Sequence, residues 1–141
     1  MRMKEEKTFR KILEDNNSKV TKPRLVVFNL LLNQPPQSIA ELVSSSAGRV
    51  NRVSVYRIID HFEKVGIARR VTIGWKYKIE LSDIFLYHHH HITCLNCGRI
   101  EAIKSGPAAE ETINSLALHT GFTVSTHQLE LQGYCHDCQK S

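Results

Sequence analysis

Hydrophobic positions recur at helical spacing through the first 66 residues. Segment 5–14 places Phe9, Ile12 and Leu13 on one stripe. Thr21-Lys22-Pro23 reads as a cap followed by proline in the first turn. It opens a helix through Leu25, Val26, Phe28, Leu30, Leu31 and Leu32, which Asn33-Gln34-Pro35-Pro36 stops. Ser38 caps a short helix with Ile39, Leu42 and Val43 facing inward, ended by Ala47-Gly48. Asn51 starts a helix to Gly66 whose buried face is Val55, Ile58, Ile59, Phe62 and Val65. The period then shortens: 67–73 and 76–81, joined at Gly74-Trp75, predict two strands of a hairpin. Three or four helices followed by a hairpin outline a winged helix-turn-helix with 51–65 as its recognition helix.

The second half is patterned differently. Residues 82–87 form a short bridge, and 99–103 predicts a strand. Gly106-Pro107 opens a helix expected to run through Ile113 and Leu116 to Gly121, and 122–131 reads as one long strand. On that strand His127, Leu129 and Leu131 share a face, where a lone histidine is most simply a satisfied core residue. The fold class expected is α+β: a winged helix over 1–81, a hinge over 82–87, and a small α/β domain over 88–141.

Charge sharpens the division. Residues 1–80 carry 16 Lys and Arg against 8 Asp and Glu, whereas 81–141 carry 3 against 6. Histidines and cysteines go the other way: only His61 precedes position 88, and all four cysteines follow it. A basic half suits a polyanion, and a His/Cys-rich half suits metal. In the recognition helix Arg52, Ser54, Tyr56 and Arg57 fall on or near the exposed side, able to meet base edges and phosphates. Arg69 and Arg70 of the hairpin would add backbone contacts. A basic solvated face is the plain alternative, and the helix-then-hairpin order favours nucleic acid over it. No apolar run approaches the roughly 18–20 residues that a membrane span needs. The charged N-terminus lacks an apolar secretory core, so the expected compartment is the cytosol.

Cys94-Leu95-Asn96-Cys97 and Cys135-His136-Asp137-Cys138 are two CxxC knuckles 37 residues apart. Four thiolates complete a closed tetrahedral zinc site, whereas a redox pair needs no second copy. With its metal's shell filled by sulfur, His136 is expected to be exposed. The tract His88-His89-His90-His91 is internal to the chain. In extended backbone His88 and His90 point one way and His89 and His91 the other, so one tract can serve two sites. A solvated polar linker is the plain alternative. His119, beside Gly121, reads as a favourable charge near a helix end.

These residues together resemble the ferric uptake regulator family over roughly 8–139. The resemblance rests on Thr21-Lys22-Pro23-Arg24, Ser54-Val55-Tyr56-Arg57, and the four histidines two residues ahead of Cys94. Gly121-Phe122, the stretch 127–133 and the terminal CxxC complete it. It implies a homodimeric, metal-dependent DNA-binding repressor whose second domain is the dimerisation domain, acting on a palindromic double-stranded operator. It implies structural Zn2+ at Cys94, Cys97, Cys135 and Cys138. It further implies a regulatory hinge site of Glu80, His89 and His91, and a dimerisation-domain site of His88, His90, Glu110 and His127. The chain departs from the family pattern twice. Pro35-Pro36-Gln37 stands where a hinge histidine is often found, so the site is three-coordinate or recruits another group such as Glu101. His90 stands where iron-sensing members commonly carry Asp, a nitrogen-rich set that suits zinc or nickel at least as well as iron. Zinc-sensing relatives often add a fifth cysteine, and this chain has four. The effector expected is Zn2+ or Fe2+, with Mn2+ and Ni2+ as further choices. The rival readings are a peroxide sensor of the same family, a zinc-storage protein and a zinc hydrolase. A hydrolase needs an open metal position and a nearby base, which a four-cysteine site does not give. No enzymatic activity is expected.

Overall fold

The computed structural model describes residues 2–73 and 75–139 and divides the chain into two compact units, 1–87 and 88–141. The first unit runs α1 (Arg2–Asp15), α2 (Lys22–Leu31), α3 (Ile39–Ser45), α4 (Arg52–Val65), then the hairpin β1 (Ala68–Ile73) and β2 (Lys76–Leu81). The starts of α2, α3 and α4 each have a chemical cause. Thr21 accepts from the Arg24 amide with Pro23 in the first turn, and Ser38 with Glu41 forms a reciprocal capping box. Asn51 accepts from the Ser54 amide at 2.8 Å, and α4 ends at Gly66 in the left-handed region (φ 83°), a conformation glycine adopts without steric cost. Phe9 stacks on Phe28 (4.4 Å between ring centroids) and meets Phe62 edge-on (5.6 Å), pinning α1, α2 and α4 to one core.

The hairpin pairs Ala68 with Leu81 through Ile73 with Lys76; its turn residue Gly74 lies outside the described residues. Gln37, just past the two prolines, exchanges backbone hydrogen bonds with Ile79 and so adds a third rung beside β2. Residues 82–87, expected as a hinge, fold onto the first unit. Ser82 Oγ donates to the Gly66 carbonyl, and the Phe85 ring packs edge-on against Phe28 at 5.2 Å.

The second unit holds β3 (His90–Cys94), β4 (Ile100–Ile103), α5 (Pro107–Ser115), β5 (Glu130–Gly133) and the short α6 (His136–Gln139). Its sheet has the order β4-β3-β5, antiparallel on one side of β3 and parallel on the other. Two expectations are corrected here. The helix opened by Pro107 ends at Ser115 rather than Gly121, with a separate 3-10 turn at Leu118–Thr120. Leu116 and Leu118 are three-quarters exposed, so no apolar surface among the described residues holds the helical period past Ser115. The long strand over 122–131 is reduced to β5, because 122–129 finds no ladder partner among the described residues. In the same unit, Cys94 is the only buried apolar side chain among the described residues; no Leu, Ile, Val, Phe or Tyr is buried. No helix of the described residues is long and apolar enough to cross a membrane.

Candidate metal centres and nucleic-acid interface

Four sulfurs meet in the second unit. Cys94 ends β3, Cys97 follows it in a tight turn, and Cys135 and Cys138 flank the start of α6 and lie within it. One Sγ of each lies within 4.8 Å of the others, and Cys97 Sγ is 3.8 Å from Cys135 Sγ. Sulfurs bound tetrahedrally at about 2.3 Å would lie about 3.8 Å apart, so the cluster fits a structural zinc. The backbone amide of Cys135 donates to Cys94 Sγ, which with donation around Cys97 holds the Cys94 thiol down at about 6. At Cys138 the Asn96 amide pulls the same way, but the neighbouring sulfurs and burial outweigh it and push the thiol up to about 12. Four thiols this close cannot all ionise without a cation among them, so zinc loading must expel protons. His136, as expected, is exposed.

The histidine tract divides by alternation. His88 Nε2 lies 3.1 Å from His127 Nε2, and the Glu110 carboxylate spans the group. Glu110 Oε1 lies 2.8 Å from His90 Nε2, and Oε2 lies 2.7 Å from His127 Nε2 and 3.4 Å from His88 Nε2. β3 supplies His90 and the segment just ahead of it His88, α5 supplies Glu110, and the stretch before β5 supplies His127. Ser105 Oγ donates to Glu110 Oε1; that hydroxyl first, and then His90, His88 and His127, lower the Glu110 carboxyl to about 2. The carboxylate is therefore ionised throughout the neutral range. On the opposite side of the strand His89 Nε2 and His91 Nε2 are 3.1 Å apart. Two nitrogens on one ion at about 2.0–2.1 Å lie roughly 2.9–3.4 Å apart, so both pairs have the bite of a chelate.

Glu101 does not join His89 and His91. The register pairs it with Ile92, on the sheet face opposite His91, and it forms an ion pair with Arg99. The residue beside His91 on β4 is Ala102. Glu80, on β2, accepts from Arg69 at 2.6 and 2.9 Å.

In the first unit α4 exposes Arg52, Tyr56 and Arg57, with Ser54 half-buried at the capped end and the Arg52 guanidinium 5.9 Å from the Tyr56 ring centre. The hairpin arginines are already engaged. Arg69 pairs with Glu80 and with Asp83 (3.5 Å), and Arg70 lies over the Tyr77 ring at 4.2 Å while bonding Glu63 at 2.8 Å. The carboxylate of Glu63 above all raises the Arg70 guanidinium further above its ordinary value. Sequence reasoning missed Ser105, which has no motif of its own.

A winged helix joined to a unit holding a four-sulfur cluster, an imidazole–carboxylate cluster and a further histidine pair defines a class of metal-binding winged-helix proteins. The profile of the ferric uptake regulator family matches residues 15–132, and the chain belongs to that family. It is 27% identical over 135 residues to the ferric uptake regulation protein of Neisseria meningitidis, covering 90% of each chain. It is 31% identical over 131 residues to that of Vibrio parahaemolyticus, covering 89% of this chain and 86% of the relative. Among solved structures, the Vibrio cholerae ferric uptake regulator superposes with a TM-score of 0.71 at 29% identity, covering 89% of this chain and 98% of that one. The Helicobacter pylori regulator shares the fold, with a TM-score of 0.79 at 24% identity over 99% of this chain and 94% of that one. The protein is a metal-responsive transcriptional regulator.

Proposed function

We propose that the protein is a cytoplasmic homodimeric repressor of metal-homeostasis genes that binds a palindromic operator once a second divalent cation is loaded. The single observation carrying this reading is the division of the histidine tract. His89 and His91 form one chelating pair, while His88 and His90 are committed to Glu110 and His127. The four cysteines fit a closed structural zinc, so sensing falls to the imidazole sites. His89 and His91, with Glu80 as the third group the family resemblance assigns, would hold the regulatory ion. When bound, such an ion supplies a fixed geometry that ties chain segments together. Its differential affinity for the DNA-competent arrangement is what biases the equilibrium. His88, His90, Glu110 and His127 would hold a further ion within the dimerisation domain.

Two features support the partners. A unit whose described residues bury no aliphatic or aromatic side chain needs a second copy to cover Phe122, Leu129 and Leu131. α4 offers Arg52, Ser54, Tyr56 and Arg57 to the major groove, once per copy, which suits a palindrome. Arg69 and Arg70, held by carboxylates, stiffen the hairpin and reach phosphate only by exchanging partners. The effector proposed is Zn2+ or Fe2+, since the sites offer nitrogen and carboxylate donors. The test is binding to duplexes from metal-uptake promoters, titrated separately with buffered Zn2+, Fe2+, Mn2+ and Ni2+. Affinity should rise about 5- to 150-fold with the effector. No gain with any of the four would overturn the reading.

A further inference from the structure

We propose that Glu130 is a ligand of the ion held by His89 and His91, an inference that rests on the metal reading of that pair. Along β3, His91 and Thr93 share one face of the sheet, and His90, Ile92 and Cys94 share the other. Residues aligned across neighbouring strands put their side chains on the same face. On the β4 side His91 is aligned with Ala102, which brings only a methyl group, while Glu101 is turned to the opposite face. On the β5 side His91 is aligned with Glu130 in the parallel ladder. Adjacent strands lie about 4.8 Å apart, a gap that a glutamate side chain spans readily. Ala102, His91 and Glu130 thus form one row across the sheet, and Glu130 is its only acid.

The surroundings of Glu130 suit a ligand. It is half-buried, and its Oε1 accepts from Gln128 Nε2 at 3.0 Å. Gln128 lies two residues earlier, just ahead of β5, and metal-binding carboxylates are commonly steadied by such a donor. Among the described residues no ion pair engages Glu130, in contrast to Glu101 on Arg99. His89 and His91 as neutral imidazoles bring no charge to a divalent cation, and a carboxylate in the same row offsets part of its charge. An added oxygen donor also shifts preference toward iron or manganese and away from sites built on nitrogen alone.

The experiment uses the full-length, zinc-loaded protein and Co2+ as probe, with visible ligand-field spectra and chelator competition as readouts. His89→Ala identifies the site by the bands it removes. Glu130→Gln should weaken Co2+ at that same site by about tenfold or more and change its bands, leaving the remaining bands and the zinc content intact. Glu130→Asp, charged but shorter, should retain more affinity than Glu130→Gln with a shifted spectrum. Glu101→Gln should match the parent protein. If His89→Ala removes no Co2+ bands, the metal reading of the pair fails and the inference with it. If His89→Ala removes a site that Glu130→Gln and Glu130→Asp leave within twofold, the inference alone is overturned.

Discussion

Ser105→Ala removes one hydroxyl and no proposed metal ligand, yet it should weaken ion binding at the site proposed on His88, His90, Glu110 and His127. The Glu110 carboxylate has to present Oε1 to His90 and Oε2 to His127 and His88, at 2.8, 2.7 and 3.4 Å. Ser105 Oγ, donating to Oε1, is the contact outside the imidazole set that fixes the rotation of that group. It is also the first cause of the lowered Glu110 carboxyl. Losing a group that orients a ligand costs roughly 10- to 100-fold in metal affinity. One of the four contacts to the carboxylate is lost and the three to histidine remain, so the lower end, about tenfold, is expected here. Ser105→Thr keeps the hydroxyl and should recover most of the loss, and Glu110→Ala, which deletes the ligand, should lose more than Ser105→Ala. The assay is competition with a chromophoric chelator in a His89→Ala background, which leaves this site to be read alone, with zinc content as the folding control. Affinity for Ser105→Ala within twofold of the parent, while Glu110→Ala loses its ion, would refute the reasoning.

Cys94→Ser or Cys135→Ser should abolish the structural zinc, seen by metal analysis, and weaken the dimer, seen by sedimentation; stable zinc-free dimers would contradict the site. Tyr56→Ala should relax base preference, because its half-exposed ring can pack on thymine methyls. Arg57→Ala should instead weaken all sequences alike and lower the salt slope by about one, both read from binding isotherms over a salt series. His61 is held below its ordinary value, chiefly by burial and then by Arg24 and Lys64, so its neutral form favours the folded state. The stability it contributes is complete above about pH 6.5 and lost as pH falls through the lower folded value, so His61→Gln should flatten the acid side of a melting-temperature profile.

The first unit was legible in its sequence because every signal there is local or has its partner within the chain. The caps at Thr21, Ser38 and Asn51 satisfy amides three residues on, and the stripe of Val55, Ile59 and Phe62 finds Phe9 and Phe28 to pack on. Alternation likewise sorted the four histidines, since it depends only on extended backbone. The second unit was less legible because its apolar side chains find no cover among the described residues of one chain. Leu116 and Phe122 lie exposed, and the expected helix and strand stop short of them. Glu101 failed by a single residue of register, which in a strand moves a side chain to the other face. Ser105 gave no signal because a serine before a Gly-Pro helix start reads as loop chemistry until Glu110 is seen beside it.

The measurement that bears most directly on the account is a metal titration of operator binding by the four single variants His88→Ala, His89→Ala, His90→Ala and His91→Ala. His89→Ala and His91→Ala should remain folded and zinc-containing and gain no DNA affinity on metal addition. His88→Ala and His90→Ala should melt earlier and keep part of the gain. Equal loss of response in all four, or a full response in His89→Ala and His91→Ala, would contradict the division of the tract into a sensing pair and a pair serving the dimerisation domain.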